Sequence, residues 1–236
     1  MIPVPFALKA DRNAVETPLP ERNQVPHYAP ELVRASQQGD LALVRELVEA
    51  GADVNSVGDH GMGPLLTFTP AIVEYLLSKG ADPNRQTNES GDSVLIGIAY
   101  LNNVECVRLL LEAGADFTAV VQDTGETPLH SALAGAEEHV SAADRHAMVR
   151  LLIAHGADPN RRIIPGVPSL AFCRDVRTRG ETPLHRAAAY ASEETVQFLL
   201  ESGVDKTIRD AKGDSPQSWA ELALAPETPN RLIEPD

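Results

Sequence analysis

Histidine and carboxylate side chains cluster in one short stretch of the chain, where they raise the question of a metal site. The cluster within residues 134–147 consists of Glu137, Glu138, His139, Asp144 and His146. Protein zinc sites use short spacings between paired cysteines or histidines, whereas His139 and His146 are seven residues apart, about two helical turns. The spacing therefore favours a lengthened helical hairpin exposed to solvent, and it predicts neither a metal ion nor a cofactor.

The sequence shows no residue pattern typical of catalysis. It contains no glycine-rich phosphate loop, no nucleophile elbow and no set of cysteine and histidine ligands. His130 and His185 occur in nearly identical surroundings, GETPLHSALAG (125–135) and GETPLHRAAAY (180–190). Such a recurrence indicates a repeated architectural role for the two histidines. We therefore predict a protein without enzymatic activity.

Arginine residues are concentrated in one segment of an acidic chain. The whole chain has a net charge of −14, yet residues 161–186 contain six arginines against one aspartate and one glutamate. The same segment carries five large apolar residues, Ile163, Ile164, Val167, Leu170 and Phe172. One interpretation is that the apolar part packs on the rest of the protein and the arginines pair with nearby carboxylates. The other is that the segment projects, and its arginines bind an acidic protein surface or an anion through forked hydrogen bonds.

Five similar sequences define the elements that must position these residues. They are VRELVEAGADVN (44–55), VEYLLSKGADPN (73–84), VRLLLEAGADFT (107–118), VRLLIAHGADPN (149–160) and VQFLLESGVDKT (196–207). Each predicts the last turns of a helix with an apolar face, ended by a glycine. Successive glycines are 29, 34, 42 and 47 residues apart, which scatters around a repeat of about 33 residues.

The first half of the repeat unit points to a known family. Residues 127–132 and 182–187 both match the pattern T-P-L-H-x-A that characterises ankyrin repeats, and on these motifs residues 31–225 resemble the ankyrin-repeat family. The resemblance implies an all-α solenoid of five repeats and a C-terminal half-repeat cap, with a long inserted finger loop at 161–179. We expect residues 1–30 to be a proline-rich N-terminal extension and residues 226–236 to be a C-terminal tail.

The repeat motifs also predict local roles. Pro128 and Pro183 suit the first turn of a helix, where a missing N–H costs nothing, and the threonines before them suit N-caps. The family resemblance assigns His130 and His185 to hydrogen bonds that tie each helix start to the adjoining turn. The second unit is short around residues 61–72, so we expect it to be the weakest layer of the stack. Trp219 is expected to cover the last layer.

A repeat scaffold without catalytic residues predicts a module that binds a partner protein through its concave groove and the 161–179 loop. Tyrosine and arginine are enriched at interface hot spots, and the loop also contributes an exposed phenylalanine candidate. The candidate partner-binding residues are Tyr100, Tyr190, Phe172, Arg174, Arg177, Arg179 and Arg186. The alternative is a small anionic ligand or an enzyme site in the groove, capped by the arginine-rich loop.

Composition narrows the remaining function classes. A net charge of −14 repels phosphates, and only 4% of residues are aromatic, so nucleic-acid binding is not expected. No stretch approaches the ~20 apolar residues of a membrane span, and the N-terminus lacks the pattern of a secretory signal. We therefore expect a cytoplasmic monomer, and a bias to arginine over lysine suggests a bacterial source. Cys106 is expected to lie in the core.

Overall fold

The computed structural model describes residues 29–58, 61–85, 92–134, 140–169 and 176–224. These residues form ten helices and one short antiparallel pair of strands. The helices are α1 (Ala29–Gln37), α2 (Leu41–Glu49), α3 (Pro70–Ser78), α4 (Val94–Tyr100), α5 (Val104–Glu112), α6 (Pro128–Ala132), α7 (Ala142–Ala154), α8 (Pro183–Tyr190), α9 (Glu193–Glu201) and α10 (Pro216–Leu224). The strands are β1 (Pro168–Ser169) and β2 (Val176–Arg177).

The helices stack as pairs, an inner helix followed by an outer helix. The inner helices α1, α4, α6 and α8 each pack on the outer helix that follows, and the outer helices α3, α5, α7 and α9 pack on one another in order. The leucines four residues before the repeat glycines are all fully buried, namely Leu47, Leu76, Leu110, Leu152 and Leu199. These leucines join successive units into one apolar core, which confirms the predicted all-α solenoid.

The threonine–proline motifs begin helices as the sequence predicts. Pro128 and Pro183 occupy the first turns of α6 and α8. The Oγ1 atoms of Thr127 and Thr182 lie 2.8 Å from Nδ1 of His130 and His185, respectively. The backbone N–H of each threonine also donates to the same ring nitrogen. Each histidine thus closes the first helical turn, which confirms the role that the family resemblance implies.

The repeat signature also builds the turns between successive units. Gly114 ends the turn after α5 with φ 89°, a conformation that other residues adopt only at a cost. The asparagine that ends the signature then reaches the next unit. Asn84 accepts a hydrogen bond from the N–H of Asp116 at 2.7 Å and donates to the Gly114 carbonyl at 3.0 Å. Asn55 makes the same two contacts with the following repeat.

The second unit has an outer helix but no inner helix among its described residues, 61–85. Pro70 begins α3, and residues 61–69 form turns instead. A side chain partly compensates for the missing helix, because buried Thr67 donates from Oγ1 to the Ser36 carbonyl at 2.6 Å. The unit therefore has less regular backbone hydrogen bonding than its neighbours, as the short spacing suggests.

The last unit consists of a single helix in the part of the chain that the structure describes. Helix α10 packs on α8, and Trp219 is buried there, which confirms that this tryptophan covers the final layer. Cys106 lies in the core as expected, and burial raises the pKa of its thiol to about 12. Among the described residues, no helix has the length and apolar character needed to cross a membrane.

The insert at 161–179 adds a pair of short strands to the helical stack. Its two ends run antiparallel, with Pro168 paired to Arg177 and Ser169 paired to Val176. The backbone of Thr178 continues the pairing through hydrogen bonds with Gly166 and Val167. The insert leaves the stack and rejoins it at adjacent points. Its two ends can therefore pair with each other, which satisfies the hydrogen-bonding groups of their backbones.

Candidate functional site

The turns that precede the inner helices carry the charged residues of interest. We call these segments the finger turns, residues 124–126 before α6, 179–181 before α8 and 210–214 before α10. They lie side by side, since the insert backbone bonds both to the first, from Ile164 N to Thr124 O at 2.7 Å, and to the second, from Ile163 N to Glu181 O at 3.2 Å. Charges on the three finger turns are therefore close enough to interact across repeats.

Arg186 on α8 joins two of the finger turns from within the protein. Its guanidinium is fully buried and contacts Glu126 at 2.5 Å and Glu181 at 3.0 Å. The remaining terminal nitrogen donates to the His130 carbonyl at 3.0 Å. One arginine therefore neutralises carboxylates from two repeats and binds the backbone of a third element.

Arg179 forms the equivalent connection to the cap. Its guanidinium contacts Asp210 at 2.8 Å and also pairs with Asp214. The same guanidinium lies over the Trp219 ring, 5.2 Å from its centroid, and the indole N–H donates to Asp210 at 3.0 Å. The fourth repeat, the fifth repeat and the cap are thus connected by two largely buried arginines.

The buried positions of Arg179 and Arg186 conflict with the expectation that they contact a partner. A guanidinium enclosed by carboxylates would have to leave them in order to reach another protein, and a broken buried ion pair costs about 3–5 kcal/mol. For these two residues the structure supports the other interpretation, in which arginines of the segment pair with nearby carboxylates. We therefore assign them to the scaffold.

The structure describes the side chains of only some of the other predicted contact residues. Tyr100 and Tyr190 end the inner helices α4 and α8 and are half-buried, and the Tyr190 carbonyl accepts a hydrogen bond from Arg145. Arg177 lies in β2, and its side chain is outside the described atoms. Phe172 and Arg174 lie outside the described residues.

Two exposed apolar side chains lie in or next to the repeat that carries Tyr100. Phe68 is 48% exposed and Leu101, the residue after Tyr100, is 45% exposed. Their backbones are neighbours, because Asn103 donates from its side chain to the Phe68 carbonyl at 2.9 Å. Phe68 is not among the candidate residues chosen from the sequence. Its repeat lacks an inner helix in the described part, so the repeat motif does not show which position Phe68 occupies. We call Phe68, Tyr100, Leu101 and Tyr190 the helix-end rim.

The base of the insert supplies exposed cations that the candidate set does not include. Arg161 and Arg162 are both exposed, and Ile164 is 48% exposed. Arg162 donates from Nε to the Gly180 carbonyl at 3.1 Å. In the sequence, these residues belong to the arginine-rich segment. Because they directly follow the repeat signature, the sequence indicates that they lie nearest the scaffold.

The buried histidines are unsuited to acid–base chemistry. Burial, together with the Arg186 charge, holds the pKa of His130 well below its usual range, and burial likewise lowers the pKa of His185. Both rings are fully buried, so neither reaches a substrate at the surface. The described residues also contain no group of three or more His, Cys, Asp or Glu side chains placed to hold a metal ion. Glu137, Glu138 and His139 of the sequence cluster lie outside the described residues.

Comparison with known proteins identifies the scaffold. A family model described as ankyrin repeats (3 copies) matches residues 67–163 and 139–210, which together make up more than half of the chain. The chain belongs to the ankyrin-repeat family. Ankyrin repeats are generally non-catalytic modules that bind other proteins.

Curated relatives share the repeats within longer proteins. Ankyrin repeat and SOCS box protein 16 of Homo sapiens is 29% identical over 223 residues, covering 84% of this chain and 48% of that protein. Palmitoyltransferase ZDHHC13 of Mus musculus is 28% identical over 222 residues, covering 86% and 34%. Neurogenic locus notch homolog protein 1 of Homo sapiens is 29% identical over 187 residues, covering 71% and 6%. The chain thus spans less than half the length of these relatives.

A solved structure shares the ankyrin fold over nearly its whole length. A chain in the complex of the Bd0816 predatory endopeptidase from Bdellovibrio bacteriovorus with immunity protein Bd3460 aligns with a TM-score of 0.61 and 25% identity. The alignment covers 81% of this chain and 91% of that chain. The similar chain comes from a complex of an enzyme with a second protein.

Proposed function

We propose that this ankyrin-repeat chain is a non-catalytic module that binds one partner protein through the helix-end rim and the insert of residues 161–179. The observation that carries the proposal is the solved endopeptidase complex, in which a chain of the same fold and nearly the same extent is part of an assembly between an enzyme and an immunity protein. A module of this kind acts by covering a surface of its partner.

The distribution of exposed side chains supports the same surface. Phe68 and Leu101 expose two large apolar side chains on neighbouring repeats, and the rim also carries two tyrosines, a residue type enriched at interface hot spots. Tyr190 and the insert lie at opposite ends of α8, an eight-residue helix about 12 Å long. One partner surface of ordinary size spans that distance.

We further propose that the partner is an enzyme whose activity the module blocks. The support is the same solved complex, since its endopeptidase is bound with an immunity protein. A rigid stack that binds beside a catalytic cleft needs no chemistry of its own to stop turnover, because it excludes the substrate.

The alternative, a site for a small anion beneath the insert, has less support. Of the cations beneath the insert, Arg179 and Arg186 are already paired with four carboxylates. Arg161 and Arg162, which form no ion pair with a described residue, are exposed at the surface instead of enclosed. An anion entering there would also meet Glu126 and Glu181 at close range. The geometry therefore favours recognition of a protein surface.

Site-specific photo-crosslinking tests the proposed function. A photoreactive amino acid is placed at Leu101 or at Tyr190 of the full chain in its source cell, and at Leu200 on the outer helix α9 as a matched exposed apolar control (39% exposed). We expect the two rim positions to capture the same protein and the control position not to capture it. If the captured protein is an enzyme, an equimolar amount of the purified chain should abolish its activity.

Three results would contradict this proposal in whole or in part. Absence of any adduct at both rim positions would overturn binding through the rim, and so would equal capture at Leu200. If the captured protein is an enzyme and a saturating concentration of the chain leaves its activity unchanged, the proposed binding would stand and the proposed inhibition would be wrong.

A further inference from the structure

Among the arginines of the segment 161–186 whose side chains are described, two have no buried carboxylate partner. Arg161 and Arg162 are exposed, and neither forms an ion pair with any residue that the structure describes. Arg179 and Arg186, in contrast, are neutralised by acids of the finger turns. Among the arginines whose side chains are described, the available positive charge of this region therefore lies at the base of the insert.

An exposed apolar side chain adjoins these cations. Ile164 is 48% exposed, although the neighbouring Ile163 is 3% exposed and anchors the segment in the protein. Ile164 lies against the first finger turn, where its side chain is within 3.5 Å of the position that a Cβ on Gly125 would occupy. Single exposed apolar residues are common on protein surfaces, but this one stands within three residues of two exposed arginines that form no ion pair with a described residue.

The backbone around Arg161, Arg162 and Ile164 is held by hydrogen bonds on both sides. The N–H of Ile164 donates to Thr124 at 2.7 Å, and its carbonyl accepts from the hydroxyl of Thr178. Ile163 donates to Glu181, whose carboxylate in turn holds Arg186 and the Arg179 backbone N–H. Because the segment is ordered before a partner arrives, binding costs little further loss of backbone entropy.

We propose that Arg161, Arg162 and Ile164 form a docking surface for a short acidic segment of the partner protein that also carries an apolar side chain. The surface rests on the proposed binding function and adds the chemistry of the partner. Guanidinium groups bind carboxylates through two parallel hydrogen bonds, and Ile164 offers an apolar contact beside the first finger turn.

The charge of the whole chain limits what kind of acidic partner fits. At a net charge of −14, the chain repels a partner that is acidic throughout. Charges further apart than about 8–10 Å are largely screened at physiological salt, so a local cluster of carboxylates still recognises two arginines at contact. The fitting partner therefore presents a short acidic stretch on a surface that is not strongly acidic elsewhere.

Crosslinking from position 164 tests this surface separately from the helix-end rim. The photoreactive residue replaces Ile164 in the full chain, and the captured partner peptide is sequenced by mass spectrometry. We expect position 164 to capture the same protein as position 101. The peptide joined to position 164 should be rich in Asp and Glu. A synthetic copy of that peptide should bind the chain at least tenfold more tightly than the same peptide with its acids changed to amides.

Charge reversal provides the matched comparison. The double variant Arg161→Glu, Arg162→Glu should weaken partner binding at least tenfold. The control double variant Arg85→Glu, Lys206→Glu changes the net charge by the same amount at exposed sites elsewhere. It should change partner binding less than twofold. Arg161→Glu alone retains the Arg162 bond to Gly180 and should still weaken binding at least threefold. Circular dichroism confirms that each variant is folded.

The outcomes separate the two proposals. Capture from Leu101 without capture from position 164 would overturn the docking surface and leave the proposed function standing. A captured peptide that is neutral or basic would overturn the docking surface, and so would equal effects of the two charge-reversal pairs. Failure to capture any protein from either position would overturn both proposals.

Discussion

At the scale of single residues, loss of Arg186 is expected to lower stability strongly. Replacing it with alanine leaves Glu126 and Glu181 buried without their cation, and loss of one partner from a buried ion pair costs about 3–5 kcal/mol. We therefore expect Arg186→Ala to lower the free energy of unfolding by that amount, measured by urea denaturation.

Two further variants distinguish charge from packing at this site. Arg186→Met combined with Glu126→Gln and Glu181→Gln removes all three charges, so it should recover most of the stability lost in Arg186→Ala. Arg161→Ala removes an exposed arginine and should change stability by no more than about 0.5 kcal/mol. A loss of less than 1 kcal/mol in Arg186→Ala would contradict the structural role assigned to this residue.

Trp219 gives a second prediction at the residue scale. The side chain is buried, packs edge-on against His185 with ring centroids 5.5 Å apart, and donates to Asp210. Trp219→Ala should cost about 3–5 kcal/mol, as is usual when a large buried aromatic is removed. Trp219→Phe keeps most of the apolar contact but removes the indole N–H bond to the Asp210 carboxylate. Loss of a hydrogen bond to a charged group should cost about 1–3 kcal/mol.

Because Trp219 is the only tryptophan, unfolding of these variants must be followed by circular dichroism rather than fluorescence. Equal stabilities of the alanine and phenylalanine variants would show that the indole N–H bond, and not the packing, dominates. A cost below about 0.5 kcal/mol in both variants would place the side chain outside the core.

The residues whose roles the sequence predicts are those whose partners are close in the chain. Thr127 and His130 are three residues apart, so the T-P-L-H motif is enough to predict their contact. Arg186 and Glu126 are 60 residues apart, and nothing in either local sequence shows that the stack brings them together. The sequence thus predicted an arginine cluster and the fold, but which arginines are buried depends on contacts between repeats.

At the scale of elements, the second unit differs from the others because it lacks an inner helix in its described part. The amides of residues 64–69 make few regular backbone hydrogen bonds, while α6 in the fourth repeat is a capped helix. Regions with weaker backbone bonding open at lower free energy. We expect the amides of 64–69 to exchange hydrogen faster than those of α6.

A side-chain pair provides the control for that exchange measurement. Thr67→Val removes the hydrogen bond to the Ser36 carbonyl, whereas Thr67→Ser retains a hydroxyl at the same place. The valine variant should increase exchange at 64–69 and leave α6 unchanged, and the serine variant should have a smaller effect. Slower exchange at 64–69 than in α6 of the unmodified chain would show that the second unit is not the weak layer.

At the scale of the whole molecule, the two halves of the stack are held by different forces. Each repeat of a solenoid is stabilised mainly by its neighbours. Between the fourth repeat and the cap, Arg179 and Arg186 add charged contacts to the apolar core, while Asn55 and Asn84 connect the earlier turns through neutral hydrogen bonds. The half that carries the docking surface therefore depends more on the charge states of buried groups.

That dependence predicts a loss of stability in acid. The folded chain keeps His130 and His185 uncharged because burial lowers their pKa, and their Nδ1 atoms accept hydrogen bonds from threonine N–H groups. Unfolding frees both rings to bind protons near pH 6.5. The unfolded state thus binds more protons below that pH, so the free energy of unfolding rises with pH up to about 6.5 and changes little above it.

Each histidine should contribute a slope of up to about 1.4 kcal/mol per pH unit below pH 6.5, as long as the folded chain remains unprotonated at that ring. Urea denaturation between pH 7.5 and 5 measures the slope. His130→Asn and His185→Asn each remove one titrating ring, and the difference from the unmodified chain cancels the contribution of the other histidines. Each variant should therefore be less stable at pH 7.5 but lose stability less steeply in acid, whereas unchanged slopes would show that these rings are protonated in the folded chain.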